Sequence, residues 1–266
     1  MRTAVRRLLP GKTALFVALV SASTVLAVTQ AAADEQRVSR LGIAIYGGVA
    51  SLSPSLVNDA IDETNQQTEI LLGLAPISHL GAGPVFTGEG RFFISDKFVA
   101  VLGASTIRGN SILELMPEPG TDVLIQGRVR AVAIHAGMDY YFLPYTRGDF
   151  TVRPFAGGGF LSSVDTRIKM GGSVVSPDTT IDQFERAVGN GAGFYVEGGL
   201  HAMIPSRYSF VFNVFYRNLK VNRLYEENSV GEIQDLLLND LGKPAQLDLS
   251  GIGLRIGVNI NLFNRF

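Results

Sequence analysis

Nine polar side chains recur at positions of one parity within segments that otherwise alternate between apolar and polar residues. They are three carboxylates, four arginines and two asparagines: Glu89, Arg91, Asp139, Arg153, Glu197, Asn213, Arg217, Arg255 and Asn259. Successive side chains of a β-strand point to opposite faces, so these residues are expected to lie on the same face of a sheet. Because an unpaired charge is costly to bury, the near balance of signs predicts pairing among them.

Two kinds of chemistry are compatible with this polar face. If it lines a narrow closed barrel, its residues form a network of salt bridges and hydrogen bonds that fills the interior. The other hypothesis is a gated polar path, in which the same side chains line the route of small solutes. Electrical conductance distinguishes the two, because only an open path carries a steady ionic current.

The histidines are candidates for acid–base chemistry, and two of them lie four residues from a carboxylate. Asp139 follows His135, and His201 follows Glu197. Four residues of a strand span about 13 Å, so neither pair is a direct acid–base couple. No serine lies in a recognisable nucleophile motif beside them, which makes hydrolysis of membrane lipid the weakest functional hypothesis. The sequence predicts no catalytic residues, and we expect His201 to be a hydrogen-bonded interior residue.

Asp59, Asp62 and Glu63 are close enough in sequence to raise the question of a divalent cation site. They lack the alternating ligands and the glycine of a calcium-binding loop, which favours a solvated helix face instead. Cysteine is absent, so disulfides and thiolate metal sites are excluded. We therefore expect neither a metal nor a cofactor.

The polar face must be positioned by strands, because alternation of period two dominates the chain. Eight segments of ten or more residues show it: 38–50, 83–95, 97–108, 122–143, 150–165, 193–204, 208–222 and 247–266. Short turns follow the second, fourth and sixth segments, and long connections follow the others. This pattern predicts an all-β fold, a single eight-stranded antiparallel up-and-down transmembrane β-barrel.

The opposite faces of the segments are rich in aromatic and branched residues, as in the series Tyr208, Phe210, Phe212, Val214 and Tyr216. A soluble barrel would turn this face inward, but eight strands enclose too little space for so many rings. The apolar face is therefore expected to contact lipid. Aromatic residues near the short turns predict a girdle at the membrane interface: Phe92, Phe98, Tyr140, Phe142, Tyr208, Phe210 and Phe266.

Three of the long connections contain residues at helical spacing, which predicts short helices at the extracellular mouth. The first begins at Ser53, the second at Thr180, and the third covers residues 229–241. The fourth segment is long enough to extend beyond a bilayer. Its charged residues Arg128 and Arg130 predict a bulge or an exposed rim there.

The N-terminal segment has the pattern of an export signal. Four basic residues precede an apolar stretch at 14–28, and small residues follow at 31–33. This predicts a cleaved signal peptide at 1–33 and a barrel domain at 34–266; the apolar stretch is too short for a comfortable membrane anchor. Removal of four basic and no acidic residues changes the net charge from −1 to −5, which argues against a nucleic-acid partner.

Short stretches resemble those of known outer-membrane barrels. The chain ends in Phe266 after alternating apolar residues interrupted by Asn264, and this end resembles the signature by which such barrels are recognised for assembly. Residues 140–142 (YYF) and 153–160 (RPFAGGGF) resemble a turn of the OmpA-like and OmpW-like eight-stranded barrels. The resemblance implies the fold, a location in the bacterial outer membrane and the barrel assembly machinery as a partner. It implies no ligand or activity.

These patterns predict an exported integral outer-membrane barrel with a non-enzymatic structural or surface-interaction role. Its expected partners are outer-membrane lipids and a ligand at the extracellular loops. The alternative function is a small channel or transporter for small or hydrophobic solutes, with a lateral opening as in OmpW-like barrels. An apolar groove leading into the interior would favour transport, and a sealed interior would favour surface interaction.

Overall fold

The computed structural model describes residues 41–52, 54–72, 77–118, 121–204, 207–228, 230–239 and 242–262. The predicted signal peptide, residues 1–33, and the C-terminal Phe266 lie outside the described residues. All strands of the barrel given below lie within these described residues.

The chain forms eleven strands and one helix in this part. The strands are β1 Leu41–Ser51, β2 Ala82–Phe93, β3 Phe98–Glu118, β4 Thr121–Tyr141, β5 Tyr145–Arg147, β6 Phe150–Ser176, β7 Thr179–Met203, β8 Tyr208–Glu227, β9 Ile233–Leu236, β10 Leu247–Asp248 and β11 Gly251–Asn261. The helix, α1, is Ser55–Leu72. No helix among the described residues is long and apolar enough to cross a bilayer.

Eight of the strands form a closed antiparallel ring in the order β1-β2-β3-β4-β6-β7-β8-β11. The ring closes because β11 pairs with β1, where Val258 lies opposite Ile45; on its other side Ile45 lies opposite Gly88 of β2. Closure leaves none of the eight strands with an unpaired edge, which satisfies the backbone hydrogen bonds. The predicted eight-stranded up-and-down barrel is confirmed.

Side chains on the ring alternate between a buried interior and an exposed apolar surface, as the sequence pattern predicts. On β1, Ala44 and Tyr46 are buried, whereas Ile45 is 61% exposed. On β11, Arg255 is buried between the exposed Leu254 and Ile256. The outer surface formed by these strands is therefore apolar, and charged residues such as Arg255 lie in the interior.

The parity of β6 changes at a bulge. Ser163 and Thr166 are both buried although they are three residues apart, and the pairing of β6 with β4 and with β7 shifts between them. The predicted irregularity near Arg128 and Arg130 therefore lies in the neighbouring strand, β6, and not in β4. The two arginines keep the outward parity of β4 and form an exposed rim.

Two connections that the sequence predicts as long loops are strand extensions. Residues 109–118 continue β3, and residues 166–192 form the outer parts of β6 and β7, joined by a tight turn after Ser176. The helix predicted near Thr180 is wrong, because residues there pair one by one with β6, for example Arg186 with Lys169. Such a ladder satisfies the backbone groups of both strands without a helix.

The helix predicted after Ser53 is confirmed as α1, whereas the one predicted at 229–241 is wrong. Most of that segment is irregular, and β9 pairs with the end of β8. Two residues of its predicted apolar stripe, Val230 and Ile233, are exposed, whereas Leu237 packs against the apolar interior without a helix. Leu241, the fourth residue of the stripe, lies outside the described residues.

Candidate functional site

The barrel interior near the short turns is filled by polar side chains. Eight of the nine residues of the predicted polar face are buried there or just above it, and Arg153 is half-buried at the short-turn end. One Nη of Arg153 donates a 2.6 Å hydrogen bond to the carbonyl of Asp96 in the turn between β2 and β3. The structure thus brings all nine onto the inner face.

Arg91 on β2 is the centre of the first charge cluster. Its guanidinium is fully buried and contacts Asp139 on β4 at 2.5 Å and Glu89 at 3.4 Å. It also donates to the hydroxyls of Tyr46 at 2.6 Å and Tyr141 at 3.0 Å. Four oxygen partners from three strands therefore compensate the cost of burying this charge.

Arg255 on β11 is the centre of the second cluster. One of its Nη atoms lies 2.8 Å from a Glu89 oxygen and 2.7 Å from a Glu197 oxygen, so it bridges two buried carboxylates. Its Nε donates to the Asn213 side chain at 2.9 Å, and the Asn213 amide donates back to Glu197. The guanidinium also lies 4.5 Å from the centre of the Tyr46 ring, a cation–π contact.

Glu89 joins the two clusters, because it contacts both arginines. With Arg217, the buried charges are three carboxylates and three guanidiniums, so the interior is close to neutral. The sequence indicates this balance, but the pairing depends on strand register.

His201 is hydrogen-bonded on both sides, as the sequence predicts. Its Nδ1 lies 2.8 Å from the Tyr141 hydroxyl and its Nε2 lies 2.7 Å from the Ser209 hydroxyl. Ser209 also accepts a hydrogen bond from the Asn259 amide. His201 and Ser209 are each 1% exposed, so this serine–histidine pair has almost no access to a substrate. The other candidate, His135, contacts Glu89 at 3.3 Å and not Asp139.

A small cavity of about 40 Å³ lies directly above the charge clusters. Its lining includes Thr87, Tyr195 and Arg217. Each of these has a buried polar atom without a hydrogen-bond partner in the described part of the chain: Thr87 Oγ1, the Tyr195 hydroxyl and one Nη of Arg217. The volume accommodates one or a few water molecules, too little for an organic solute.

The interior near the long loops is apolar, which the sequence analysis missed. Two connections enter it: the one between β1 and β2, and the one before β11. Their buried residues form what we term the apolar plug: Leu52, Val57, Ile61, Ile77, Leu80, Ala245, Leu247 and Leu249. The plug packs against wall residues that include Ile107, Val129 and Leu219. Apolar residues at interior parity above Arg217, such as Leu219 and Val221, are the signal that predicts it.

Side-chain hydrogen bonds fix the plug in place. The Asn65 side chain on α1 accepts from the Ile77 amide at 2.6 Å, and that of Asn58 accepts from the Leu80 amide at 2.9 Å. Ser111 on β3 donates to the Ser78 carbonyl at 2.5 Å. On the opposite side of the barrel, the backbone amide of Leu249 donates a hydrogen bond to the Leu219 carbonyl at 2.8 Å. The plug is therefore tied to both α1 and the wall.

The acidic residues of α1 are not part of the interior. Asp59, Asp62 and Glu63 are exposed, and Asp62 contacts the exposed His79 at 2.7 Å. This placement agrees with the predicted solvated helix face.

A cleft of about 940 Å³ separates α1 from the outer parts of β4, β6 and β7. Its lining includes the apolar Ile61, Met170 and Phe184 and the acidic Glu63 and Glu185. Ile61, which belongs to the plug, also lines this cleft, so the cleft borders the packed side chains of the interior.

Six of the seven aromatic residues of the predicted girdle are described, and they lie on the outer surface at the short-turn end. Phe98, Tyr140 and Phe142 pack edge-to-face, with ring centroids 5.2 Å apart in each neighbouring pair. Tyr208 and Phe210 are about half exposed, and Phe92 is partly buried.

Comparisons with known proteins give structural likeness only. No family model matches the chain, and no curated protein matches it. The outer membrane protein OprG from Pseudomonas aeruginosa is 13% identical, with a TM-score of 0.45 over 84% of this chain and 96% of that one. Neisserial surface protein A is 13% identical, with a TM-score of 0.41 over 86% of this chain and all of that one. A major outer membrane protein from Thermus thermophilus is 12% identical, with a TM-score of 0.34 over 83% and 98%.

Proposed function

We propose that this eight-stranded barrel lies in the bacterial outer membrane as a closed, non-enzymatic protein with a structural or surface-interaction role. The observation that carries this proposal is the double filling of the interior, by charge clusters at one end and by the apolar plug at the other. Export by the signal peptide at 1–33 and assembly through the C-terminal strand ending in Phe266 are parts of the same proposal.

The height of the apolar outer surface supports the membrane location. On β3 the outward positions are apolar or small from Phe98 to Thr106, and the first outward charge is Arg108. Ten residues of a strand tilted by about 40° rise about 25 Å, which is the apolar height of outer-membrane barrels. Because the number of strands is even, the start of β1 and the end of β11 both lie at the short-turn side of the barrel. We assign this side to the periplasm.

A surface role is supported by the long-loop end. The cleft beside α1 is lined by apolar and acidic side chains, which suit recognition of a ligand with an apolar body and basic groups. The proposal of no enzymatic role rests on the burial of the Ser209–His201 pair, whose Nδ1 faces the Tyr141 hydroxyl instead of a carboxylate.

Planar-bilayer recordings test the closed interior. We expect the purified barrel to show no steady single-channel current, because the charge clusters and the plug both obstruct the interior. A porin in the same bilayers verifies the assay. A steady current whose ion selectivity changes in Glu197→Gln, and not in the exposed control Asp149→Asn, would contradict the proposal and establish a polar path.

One observation favours transport as the second candidate function. The ladder between β6 and β7 skips Val164, Asp165 and Asn190, and these three residues line a cavity of about 540 Å³. In the orientation that satisfies its hydrogen bonds, the Asn190 amide donates to the carbonyls of Val164 and Gly189 at 2.9 Å. Uptake of a hydrophobic dye into liposomes tests a lateral path. Faster uptake than in empty liposomes, slowed by Asn190→Trp, would support transport, and equal uptake would exclude it.

A further inference from the structure

Six basic residues lie together on the outer surface of the barrel, just above its apolar belt. We term them the outer basic cluster: Arg108, Arg128, Arg130, Arg167, Lys169 and Arg186. They come from the extensions of β3, β4, β6 and β7. Five of them are exposed and Lys169 is partly buried. None contributes to the charge clusters of the interior.

The strand register places these residues in two rows across the sheet. In the first row Arg108 lies opposite Arg130, and Arg130 lies opposite Arg167. In the second row Arg128 lies opposite Lys169, and Lys169 lies opposite Arg186. Directly opposite residues have Cα atoms about 4.5–5.5 Å apart, and like charges at such positions destabilise a sheet. An anion lying over the rows removes this repulsion.

Few carboxylates neutralise the cluster from within the barrel. Asp165 contacts Arg167 at 3.0 Å, and Glu227 lies near the same arginine. Both carboxylates raise the pKa of Arg167, the hydrogen-bonded Asp165 more than Glu227. Among the described residues, Arg167 is the member of the cluster with a carboxylate at salt-bridge distance, so five of the six basic groups have no such partner. The Lys169 ammonium lies 3.7 Å from the centre of the Phe184 ring, which holds it at the surface.

The first row of the cluster lies directly above the apolar belt. Arg108 on β3 follows the outward Thr106, and Arg130 on β4 is the first outward charge above Ile134 and Val132. If the belt spans the hydrocarbon, this row reaches the headgroups of the outer leaflet. The cluster therefore faces lipid headgroups from the side of the barrel, and not the aqueous phase above the loops.

We propose that the outer basic cluster binds the phosphorylated headgroup of a glycolipid of the outer leaflet. Guanidinium groups recognise phosphate oxygens with paired hydrogen bonds. The two rows cover three strand spacings of about 4.8 Å and two residues along each strand, an area that suits a headgroup with more than one phosphate. The assignment to the outer leaflet rests on the proposed orientation of the barrel.

Binding to bisphosphorylated lipid A in detergent tests the site without depending on that orientation. The cluster variant is Arg128→Gln/Arg130→Gln/Lys169→Gln. The matched control removes three basic residues elsewhere, Lys220→Gln/Arg223→Gln/Lys243→Gln, all of which are exposed. Heat-dependent gel mobility verifies that each variant is folded. We expect the cluster variant to bind lipid A at least about tenfold more weakly than the wild type. The control is expected to bind lipid A as tightly as the wild type.

Further probes distinguish the source of the phosphate. Lipid A without phosphates is expected to bind all three proteins equally weakly. Equal lipid A affinity in the cluster variant and the wild type would overturn the proposal. Phosphatidylglycerol bound as tightly as lipid A, or displacement of lipid A by inorganic phosphate at about 10 mM, would overturn the glycolipid assignment. Insertion of the wild type into liposomes, measured separately, tests the membrane location itself.

Discussion

Arg255→Met is expected to lower the free energy of unfolding of the barrel by about 3–5 kcal/mol. Arg255 bridges Glu89 and Glu197, and both carboxylates are fully buried at the side-chain level. Removing the guanidinium leaves two negative charges close together in a medium of low dielectric constant. The urea concentration at which the folded gel band disappears measures the change, since the chain has no tryptophan for fluorescence.

Two variants establish that the loss comes from unpaired charge. Arg147→Met removes an exposed arginine from β5 and is expected to change stability by less than about 0.5 kcal/mol. The triple variant Arg255→Met/Glu89→Gln/Glu197→Gln removes both carboxylate charges and is expected to recover much of the stability. A triple variant as unstable as Arg255→Met alone would show that packing of the guanidinium matters more than its charge.

Leu247→Ala/Leu249→Ala is expected to release the segment before β11 from the barrel interior. Both side chains are fully buried in the apolar plug, and each truncation costs about 2–5 kcal/mol. Because the segment is held by this plug and by short ladders, the loss is expected to be local. Hydrogen exchange of the Leu249 amide, which donates to Leu219, should accelerate by more than tenfold, since every 1.4 kcal/mol is a factor of ten.

The matched control is Leu238→Ala in the same connection, since Leu238 is 54% exposed. In this control variant, the hydrogen-exchange rate of the Leu249 amide should stay within a factor of a few of the wild-type rate. The folded gel band should persist in both proteins. If the double variant kept Leu249 protected, the segment would be held by its backbone bonds alone, and the plug would contribute little to closure.

Strand parity made the barrel predictable from sequence, because a period of two depends only on neighbouring positions. Glu89, Glu197 and Arg255 could therefore be assigned to the interior before their partners were known. Their pairing was not predictable: Arg255 and Glu197 are 58 residues apart, and Arg91 and Asp139 are 48 apart. Which of them meet depends on the stagger of strands around the ring.

Local spacing at residues 180–188 is compatible with a helix, because a capping pattern and apolar residues at helical spacing occur together there. The ladder that forms instead depends on pairing with residues 167–175, which a local pattern does not show. The apolar plug is not predicted by the polar face, because that face covers only the half of the interior near the short turns. Segments such as Leu247–Leu249 show their role only once the connection before β11 is seen to fold back inside.

The ladder-paired hairpins beyond the membrane belt limit how this surface can evolve in length. A single inserted residue in β6 between Arg167 and Gly172 would turn every following side chain to the other face and misalign both neighbouring ladders. Insertions and deletions should instead accumulate at the hairpin tips and at residues 228–246, where few ladders constrain them. Related sequences should therefore keep the length of the hairpin ladders and vary in length at those two places.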